Sequence, residues 1–230
     1  MIFAAGLGTR LGALTEACPK ALVEVDGRPL LMHVLERLAQ AGFTDVIVNI
    51  HHFADRIKAW LAAHDCGMEV VVSREDVLLD TGGGLKKAAW FFESEERFLV
   101  HNVDVLSDID LSELVGTHDA VGGLATLAVM RRPSSRYLLL DEAGLLCGRR
   151  FGEDGEEDLR RKPEGALEAA GFCGIHVVAD ESLGKLPPVG RYSITDAYLD
   201  LVEAGAEIRT AWVDGAKWRD CGRPEDLMPL

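Results

Sequence analysis

The sequence predicts an α/β fold, in which a Rossmann-like, doubly wound mixed sheet, mostly parallel, carries a small lobe from the second half of the chain. Short apolar, β-branched runs alternate with stretches of helical periodicity over the first hundred residues. This alternation is typical of parallel strands with helices on both faces of a sheet, since crossovers are right-handed. In the second half, strand-like runs follow one another with fewer helical stretches between them.

The first half supplies the predicted elements in strict alternation. Residues 2–5 form a short apolar strand, and Pro29 opens a helix that Gly42 ends. The β-branched run Asp45–Ile50 predicts a buried strand. The remaining predicted elements are a helix marked by Phe53, Ile57, Trp60 and Leu61, a strand at 68–72, a helix marked by Leu85, Ala88, Ala89 and Phe92, and a strand at 98–101.

The second half is predicted to extend the sheet and to build a lobe over its carboxyl edge. Ser193 is placed as the N-cap of a helix that ends at Gly205. Residues 152–162 are highly charged and predict a loop. Predicted strands lie at 125–130, 137–140, 172–178 and 207–213. With no repeat and no Pro/Ser-rich linker, one domain over residues 1–230 is expected.

Composition excludes several classes of function. The chain has 230 residues, 48% of them hydrophobic, with a formal net charge of −14. Such a charge disfavours nucleic acid and anionic membranes as partners. The apolar runs are too short to span a bilayer, and the first residues lack the features of a signal peptide, so a cytoplasmic location is expected. Five scattered cysteines without a C-x-x-C pair argue against a zinc site or a disulfide framework.

Glycines and cations are concentrated directly after the first strand. Gly6 and Gly8 allow a sharp turn and let a phosphate approach the backbone N–H groups. Arg10 supplies a forked cation and Lys20 a compact one. The segment matches neither the P-loop pattern nor the three-glycine dinucleotide fingerprint. The residues therefore predict a polyphosphate cradle.

Two further places fit an anionic ligand. Asp104 follows a buried strand at the carboxyl edge of the sheet, where open α/β sheets bind ligands. Beside a polyphosphate, this carboxylate would need a cation such as Mg²⁺, although it could instead cap the next turn. The three glycines at 82–84 either let a flat ligand or a phosphate approach closely or form a flexible turn.

The string GLGTRLGALTEACPKAL at residues 6–22 closely resembles the signature of the sugar-1-phosphate nucleotidyltransferases. The resemblance spans nearly the whole chain and favours the branch of N-acetylmuramate-1-phosphate uridylyltransferases and mannose-1-phosphate guanylyltransferases. It implies a nucleotide-binding half at residues 1–110 and a sugar-phosphate-binding half at 111–230. It also implies Mg²⁺-dependent transfer of a nucleoside monophosphate from a nucleoside triphosphate to a sugar 1-phosphate, with release of pyrophosphate.

The resemblance also assigns roles to individual residues. The family's catalytic residues match Arg10, Lys20 and Asp104. Its two metal-binding aspartates match Asp104 and Asp220. Asp220 lies in WRDCGRPE, which resembles the family motif W-x-D-x-G-x-P-E. Val103 departs from the glycine common in the family at that position. The implied nucleotide-binding residues are Ala5, Gly6, Gly8, Thr9, Arg10, Asp80, Thr81, Gly82 and Gly83.

Four residues are expected to contact the sugar phosphate: Asn49, Asn102, Lys162 and Gly174. Since Arg160 and Arg161 adjoin Lys162, the contact to phosphate falls on one of these three.

Rival functions are transfer of a cytidylyl or uridylyl group to a non-sugar phosphate such as phosphocholine, a non-catalytic sensor of nucleotide sugars, and an NAD-dependent oxidoreductase. The missing third glycine and the Arg–Lys pair argue against the last of these. Neither the base, the acceptor nor the oligomeric state can be predicted.

Overall fold

The computed structural model describes residues 1–227 and consists of one large sheet with helices packed on it. The strands are β1 (Ile2–Phe3), β2 (Glu24–Val25), β3 (Arg28–Pro29), β4 (Asp45–Ile50), β5 (Glu69–Arg74), β6 (Arg97–Asn102), β7 (Val105–Ser107), β8 (Ala125–Met130), β9 (Arg136–Leu140), β10 (Leu146–Phe151), β11 (Glu157–Leu159), β12 (Glu168–Ala179), β13 (Ile208–Trp212) and β14 (Trp218–Asp220). The α-helices are α1 (Leu30–Gln40), α2 (Ala54–Ala63), α3 (Asp80–Lys87), α4 (Leu111–Val121), α5 (Glu181–Lys185) and α6 (Ile194–Glu203).

Four strands of the first half form the parallel part of the sheet, in the order β6-β1-β4-β5. Phe3 of β1 lies between Asn49 of β4 and Asn102 of β6 in the strand register. The carboxyl ends of these strands therefore meet at one edge, and the residues that follow them converge there. Two buried apolar clusters, one on each face, hold this sheet between its helices.

The second half continues the sheet mainly in antiparallel fashion. The long strand β12 pairs with β6, β8 and β9, and β10 and β11 continue outward from β9. Strand β13 adds to β8 in parallel orientation. The predicted Rossmann-like α/β class with a mixed sheet is confirmed. The division into halves at residue 110 stays a prediction.

Several predicted elements agree with the structure and others do not. The strands Asp45–Ile50 and Ala125–Met130 have the predicted bounds, and Ser193 is the N-cap of α6, its hydroxyl accepting from the Thr195 N–H at 3.2 Å. The expected loop at 152–162 contains β11, because its backbone pairs with β10. Helix α4 and strand β10 were not predicted from the sequence.

The triple glycine is also placed differently from the expectation that a helix begins after it. Its residues lie inside α3, which starts at Asp80. All three glycines are buried. Within residues 1–227, no helix has both the length and the apolar character needed to cross a membrane.

Candidate active site

Two short strands bring the two predicted metal-binding aspartates together. Strands β7 and β14 pair antiparallel, with Asp220 opposite Val105. The pairing continues into the loop, where the Cys221 N–H donates to the Asp104 carbonyl oxygen at 2.7 Å. Asp104 lies two residues after the end of β6 at the carboxyl edge, so a carboxylate from β14 is added to one supplied by the parallel sheet.

Both predicted cations lie on this acidic pair. The Lys20 Nζ donates to the Asp104 carboxylate, and the two side chains are only 11% and 16% exposed. The Arg10 guanidinium lies 3.9 Å from the Asp104 carboxylate and 3.8 Å from that of Asp220. The structure therefore brings together the three residues predicted to be catalytic and the second metal-binding candidate.

The electrostatics of the pair suit a bound cation. Burial, and then the nearby charge of Asp104, raise the pKa of Asp220 above its ordinary value, while Arg10 and Lys20 act in the opposite direction. Within residues 1–227, no group of three or more His, Cys, Asp or Glu side chains forms a complete metal cage. Two carboxylates beside an anion site nevertheless match the donor set of Mg²⁺, which takes its other ligands from phosphates and water.

The glycine-rich segment folds as a tight, exposed turn beside this pair. Gly8 and Gly12 adopt positive φ angles of 68° and 56°, which favour glycine. The Thr15 hydroxyl donates to the carbonyl oxygens of Gly8 at 2.9 Å and of Gly12 at 3.2 Å, and so closes the turn. Gly6 has open space where a Cβ would stand, and Thr9 is exposed. This geometry is open to an anionic ligand.

A pocket of about 260 Å³ lies at the carboxyl edge of the parallel strands. Eight of the predicted site residues line it: Ala5, Gly6, Lys20, Asn49, Asp80, Thr81, Asn102 and Asp104. Val103 lines it as well.

Asn49 is held firmly within the wall of this pocket. Its Oδ1 accepts from the Ala4 N–H at 2.8 Å, and its Nδ2 donates to the Glu75 carboxylate at 2.7 Å. The other Glu75 oxygen accepts from the Leu79 N–H at 2.9 Å. Burial raises the pKa of Glu75. Asn49 therefore joins β1 to the segment ahead of α3, whatever contact it makes with a ligand.

The triple glycine faces the protein's own chain. A Cβ at Gly82 would lie 2.4 Å from the Tyr192 ring, and one at Gly83 would lie 1.8 Å from the Gly190 carbonyl oxygen. A Cβ at Gly84 would lie 2.6 Å from the Asn49 Nδ2. The close approach that glycine permits here is thus made by neighbouring segments. Asp80 and Thr81 line the pocket but Gly82 and Gly83 do not, and the predicted nucleotide contact of these two glycines stays a prediction.

A larger cleft of about 1240 Å³ begins where the smaller pocket ends, and Asp80 lines both. Arg10 and Asp220 line the cleft. It is also lined by residues that the sequence did not point to, namely Arg132, Arg136, Tyr137, Arg149, Phe151, Phe172 and Arg223. Two arginines in a row at 131–132, in a chain with only 24 Lys and Arg, were the available signal.

Lys162 is not brought to either cavity. It is exposed, and the backbone N–H groups of Arg160 and Arg161 both donate to the Cys147 carbonyl oxygen. That anchor lies near the start of β10, whereas Arg149 and Phe151 at its other end line the cleft. The pairing of β11 with β10 thus leads the chain away from the cleft. The structure does not bring Lys162 to the site, and its expected contact with phosphate stays a prediction.

Gly174 lies at a break in the strand register of β12, with a φ angle of 73°. A Cβ there would lie 2.7 Å from the Asn102 Nδ2, so the glycine makes room for that asparagine. Asn102 lines the smaller pocket, whereas Gly174 lies behind it. A direct contact between Gly174 and a sugar stays a prediction.

Comparisons with known proteins identify the family of this chain. The family model described as nucleotidyl transferase matches residues 1–230. The chain is 31% identical over 234 residues to the mannose-1-phosphate guanylyltransferase catalytic subunit beta of Drosophila pseudoobscura pseudoobscura, covering 99% of this chain and 60% of that protein. It is 28% identical over 238 residues to the UTP–glucose-1-phosphate uridylyltransferase of Synechocystis sp., covering 98% of this chain and 60% of that one.

A shorter match is closer in sequence. Over 108 residues, or 45% of this chain and 44% of the relative, it is 44% identical to the N-acetylmuramate alpha-1-phosphate uridylyltransferase of Caulobacter vibrioides. The chain thus spans about 60% of the length of the first two curated relatives.

Solved structures share the fold. HddC from Yersinia pseudotuberculosis superposes with a TM-score of 0.78 at 22% identity, covering 98% of this chain and 94% of that one. The inositol-1-phosphate CTP transferase of T. maritima gives 0.76 at 17% identity, covering 99% and 90%. With the family model matching from end to end and the acidic pair, its cations and the glycine turn assembled at one sheet edge, the chain belongs to the nucleotidyl transferase family.

Proposed function

We propose that this protein transfers a nucleoside monophosphate from a nucleoside triphosphate to a sugar 1-phosphate, releasing pyrophosphate, and that it requires Mg²⁺. The observation that carries the proposal is the pairing of Asp104 with Asp220 beneath Arg10 and Lys20. Two partly buried carboxylates at a sheet edge next to an exposed glycine turn suit a polyphosphate only with positive charge between them.

The reaction asks mainly for charge neutralisation and alignment. A sugar 1-phosphate is ionised at neutral pH, so its oxygen can attack the α-phosphate without a general base. The main obstacle to the attack is electrostatic repulsion between the triphosphate and the sugar 1-phosphate, which are both anions. Arg10, 56% exposed at the glycine turn, is placed to bind the triphosphate, and Lys20 holds Asp104 in position.

Asp104 and Asp220 would hold the metal ion. When bound, Mg²⁺ supplies positive charge that neutralises phosphate oxygens. The nucleotide is expected in the smaller pocket, near Ala5, Asp80 and Thr81, and the acceptor in the larger cleft. The names of the relatives, which act on glucose, mannose and N-acetylmuramate phosphates, support a sugar phosphate as acceptor. A cytoplasmic location stays a prediction.

A pyrophosphate-release screen tests the proposal. The protein is incubated with each of ATP, GTP, CTP, UTP and dTTP against the 1-phosphates of glucose, mannose and N-acetylmuramate, with and without Mg²⁺. Release that requires the triphosphate, the acceptor and Mg²⁺ together supports the proposal. Release that ignores the acceptor, or none with any pair, contradicts it. Asp104→Asn is the matched inactive variant, and its circular dichroism spectrum reports that it is folded.

A further inference from the structure

Two neighbouring arginines differ in how their charge is used. The Arg131 guanidinium lies over the Trp212 ring at 4.0 Å, and the Arg132 guanidinium lies over the Trp218 ring at 3.8 Å. Arg131 also forms ion pairs with Glu168, at 2.6 Å, and with Asp214. Arg132 has no carboxylate within ion-pair distance anywhere in residues 1–227. Its positive charge is therefore not neutralised by the protein.

The Arg132 side chain is nevertheless fixed in place. Its Nη2 donates to the Phe172 carbonyl oxygen at 2.7 Å and its Nη1 to the Pro133 carbonyl oxygen at 3.2 Å. The ring below it is fixed as well, because the Trp218 Nε1 donates to the Cys173 carbonyl oxygen at 2.9 Å. A guanidinium that is stacked and hydrogen-bonded in this way loses little freedom when it binds an anion.

Gly171 provides the space for this arrangement. A Cβ at Gly171 would lie 2.9 Å from the Arg132 Cζ and 3.0 Å from its Cγ. The chain thus accommodates the guanidinium at a position where any larger residue would displace it. The Arg132 Nε is buried and has no hydrogen-bond partner within residues 1–227.

The location of Arg132 relates it to the acidic pair. Trp218 and Asp220 are two residues apart in β14, so their side chains project from the same face, about 7 Å apart along the strand. Arg132, Trp218 and Asp220 all line the larger cleft. In this cleft Arg149 is paired with Asp158 and Asp196, and Arg223 with Glu225. Arg136 is exposed, and within residues 1–227 it has neither an ion pair nor an aromatic ring on which its guanidinium stacks.

We propose that Arg132, stacked on Trp218, binds the phosphate group of the acceptor and positions it beside Asp220. This inference rests on the proposed transfer to a sugar phosphate. It assigns to Arg132 the contact that the sequence resemblance gave to Lys162, which lies outside the cleft.

Steady-state kinetics of matched variants test the proposal. Arg132→Met is compared with Arg131→Met, using the best pair from the pyrophosphate screen. A charged hydrogen bond to phosphate is worth about 10- to 100-fold in binding, so the KM for the sugar 1-phosphate should rise by that factor in Arg132→Met. The KM for the nucleoside triphosphate should change less than about threefold. Arg131→Met should leave both constants near those of the parent.

Two more variants separate charge from geometry. Arg132→Lys keeps the charge and should recover part of the lost affinity. Gly171→Ala keeps every charged group but displaces the guanidinium, and it should also raise the KM for the sugar 1-phosphate. Thermal denaturation of each variant reports that it is folded. Equal effects of Arg131→Met and Arg132→Met, or a rise confined to the KM for the triphosphate, would overturn the proposal.

A binding experiment distinguishes this proposal from the proposed function. Inorganic phosphate is titrated into the protein while tryptophan fluorescence is recorded, since the Trp218 ring lies under the Arg132 guanidinium. A saturable change that survives in Arg131→Met and is lost in Arg132→Met supports the anion site, even if no pair in the screen releases pyrophosphate. A parent enzyme that is active, with an acceptor KM that Arg132→Met leaves unchanged, refutes this inference and leaves the transferase function standing.

Discussion

The α-carbon of Gly83 packs against Gly190 so closely that a Cβ would lie 1.8 Å from the Gly190 carbonyl oxygen. The N–H groups of Gly82 and Gly83 both donate to the Tyr192 carbonyl oxygen, at 3.0 and 3.3 Å. Helix α3, which carries Thr81 at the pocket, thus packs directly against residues 190–192, which lead into α6.

Gly83→Ala is therefore expected to destabilise the fold. The obstacle is a backbone carbonyl, which cannot rotate away as a side chain can, so the loss in free energy of unfolding should be about 3 kcal/mol. Gly116 in α4 has no atom within 4 Å of a Cβ position. Gly116→Ala should stabilise the protein by about 0.5–1 kcal/mol. Urea denaturation measures both, and equal effects of the two substitutions would contradict this packing.

Asp220→Asn is expected to stabilise the metal-free protein at neutral pH while abolishing transfer. The pKa of Asp220 is raised in the folded protein, mainly by burial and next by Asp104, so folding favours its protonated form. Its ionisation at neutral pH therefore costs stability, and the variant avoids that cost.

The advantage of Asp220→Asn should disappear as the pH falls below the ordinary pKa of 3.8, where the parent also carries a neutral group. Thermal melts between pH 3 and pH 7 measure the effect, with the exposed Asp154→Asn as control. Adding Mg²⁺ should stabilise the parent but not Asp220→Asn. A stability difference independent of pH would refute this account.

Lys20→Met is expected to lower kcat by about 100- to 1000-fold, the usual effect of removing one fixed donor to transition-state charge. The Lys20 ammonium pairs with the Asp104 carboxylate, so the variant also leaves that carboxylate without its nearest cation. Lys86 is a half-buried lysine that donates to the Leu183 carbonyl oxygen at 2.5 Å, outside both cavities. Lys86→Met should keep the parent kcat, and stopped-time pyrophosphate assays compare the two.

Two asparagines beside β1 are expected to respond differently to truncation. Asn49→Ala would leave the buried Ala4 N–H and one oxygen of the Glu75 carboxylate unpaired, at about 3 kcal/mol of stability. The Asn102 side chain makes no hydrogen bond within residues 1–227, so Asn102→Ala should cost under about 1 kcal/mol. Denaturation curves measure both, and a stable Asn49→Ala would show that its contacts contribute little.

Lys162→Met provides a direct test between resemblance and structure. The resemblance predicts a higher KM for the sugar 1-phosphate, whereas the exposed position of Lys162 outside both cavities leads us to expect a change under about twofold. Acceptor titrations at saturating triphosphate decide between them.

Local patterns in the sequence predicted the parallel half of the fold well. The run DVIVNI predicted the bounds of β4, because a strand that is buried on both faces consists of a nearly continuous run of apolar residues. Strand β10, LCGRRF, carries two arginines and a glycine, and only its pairing with β9 and β11 makes it a strand. That pairing is a long-range property which local composition does not encode.

In the candidate site, too, the local features were predictable from the sequence and the long-range ones were not. The glycine turn with Arg10 and Lys20 was predictable from chemistry, because spacing, charge and backbone freedom all lie within one short segment. The meeting of Asp104 with Asp220 came only from the resemblance, and Arg132 was missed. Its role depends on Trp218, Phe172 and Gly171, which are far from it in sequence.

The β7–β14 pairing also sets the order in which this site can come into existence. Asp104 is synthesised 116 residues before Asp220, and each strand of the ribbon has only three residues. Contacts between such distant segments form late, because a long loop must close first. A nascent chain still lacking β14 would have its glycine turn without a complete acidic pair, so a partly synthesised molecule should bind nucleotide weakly and remain inert as a catalyst.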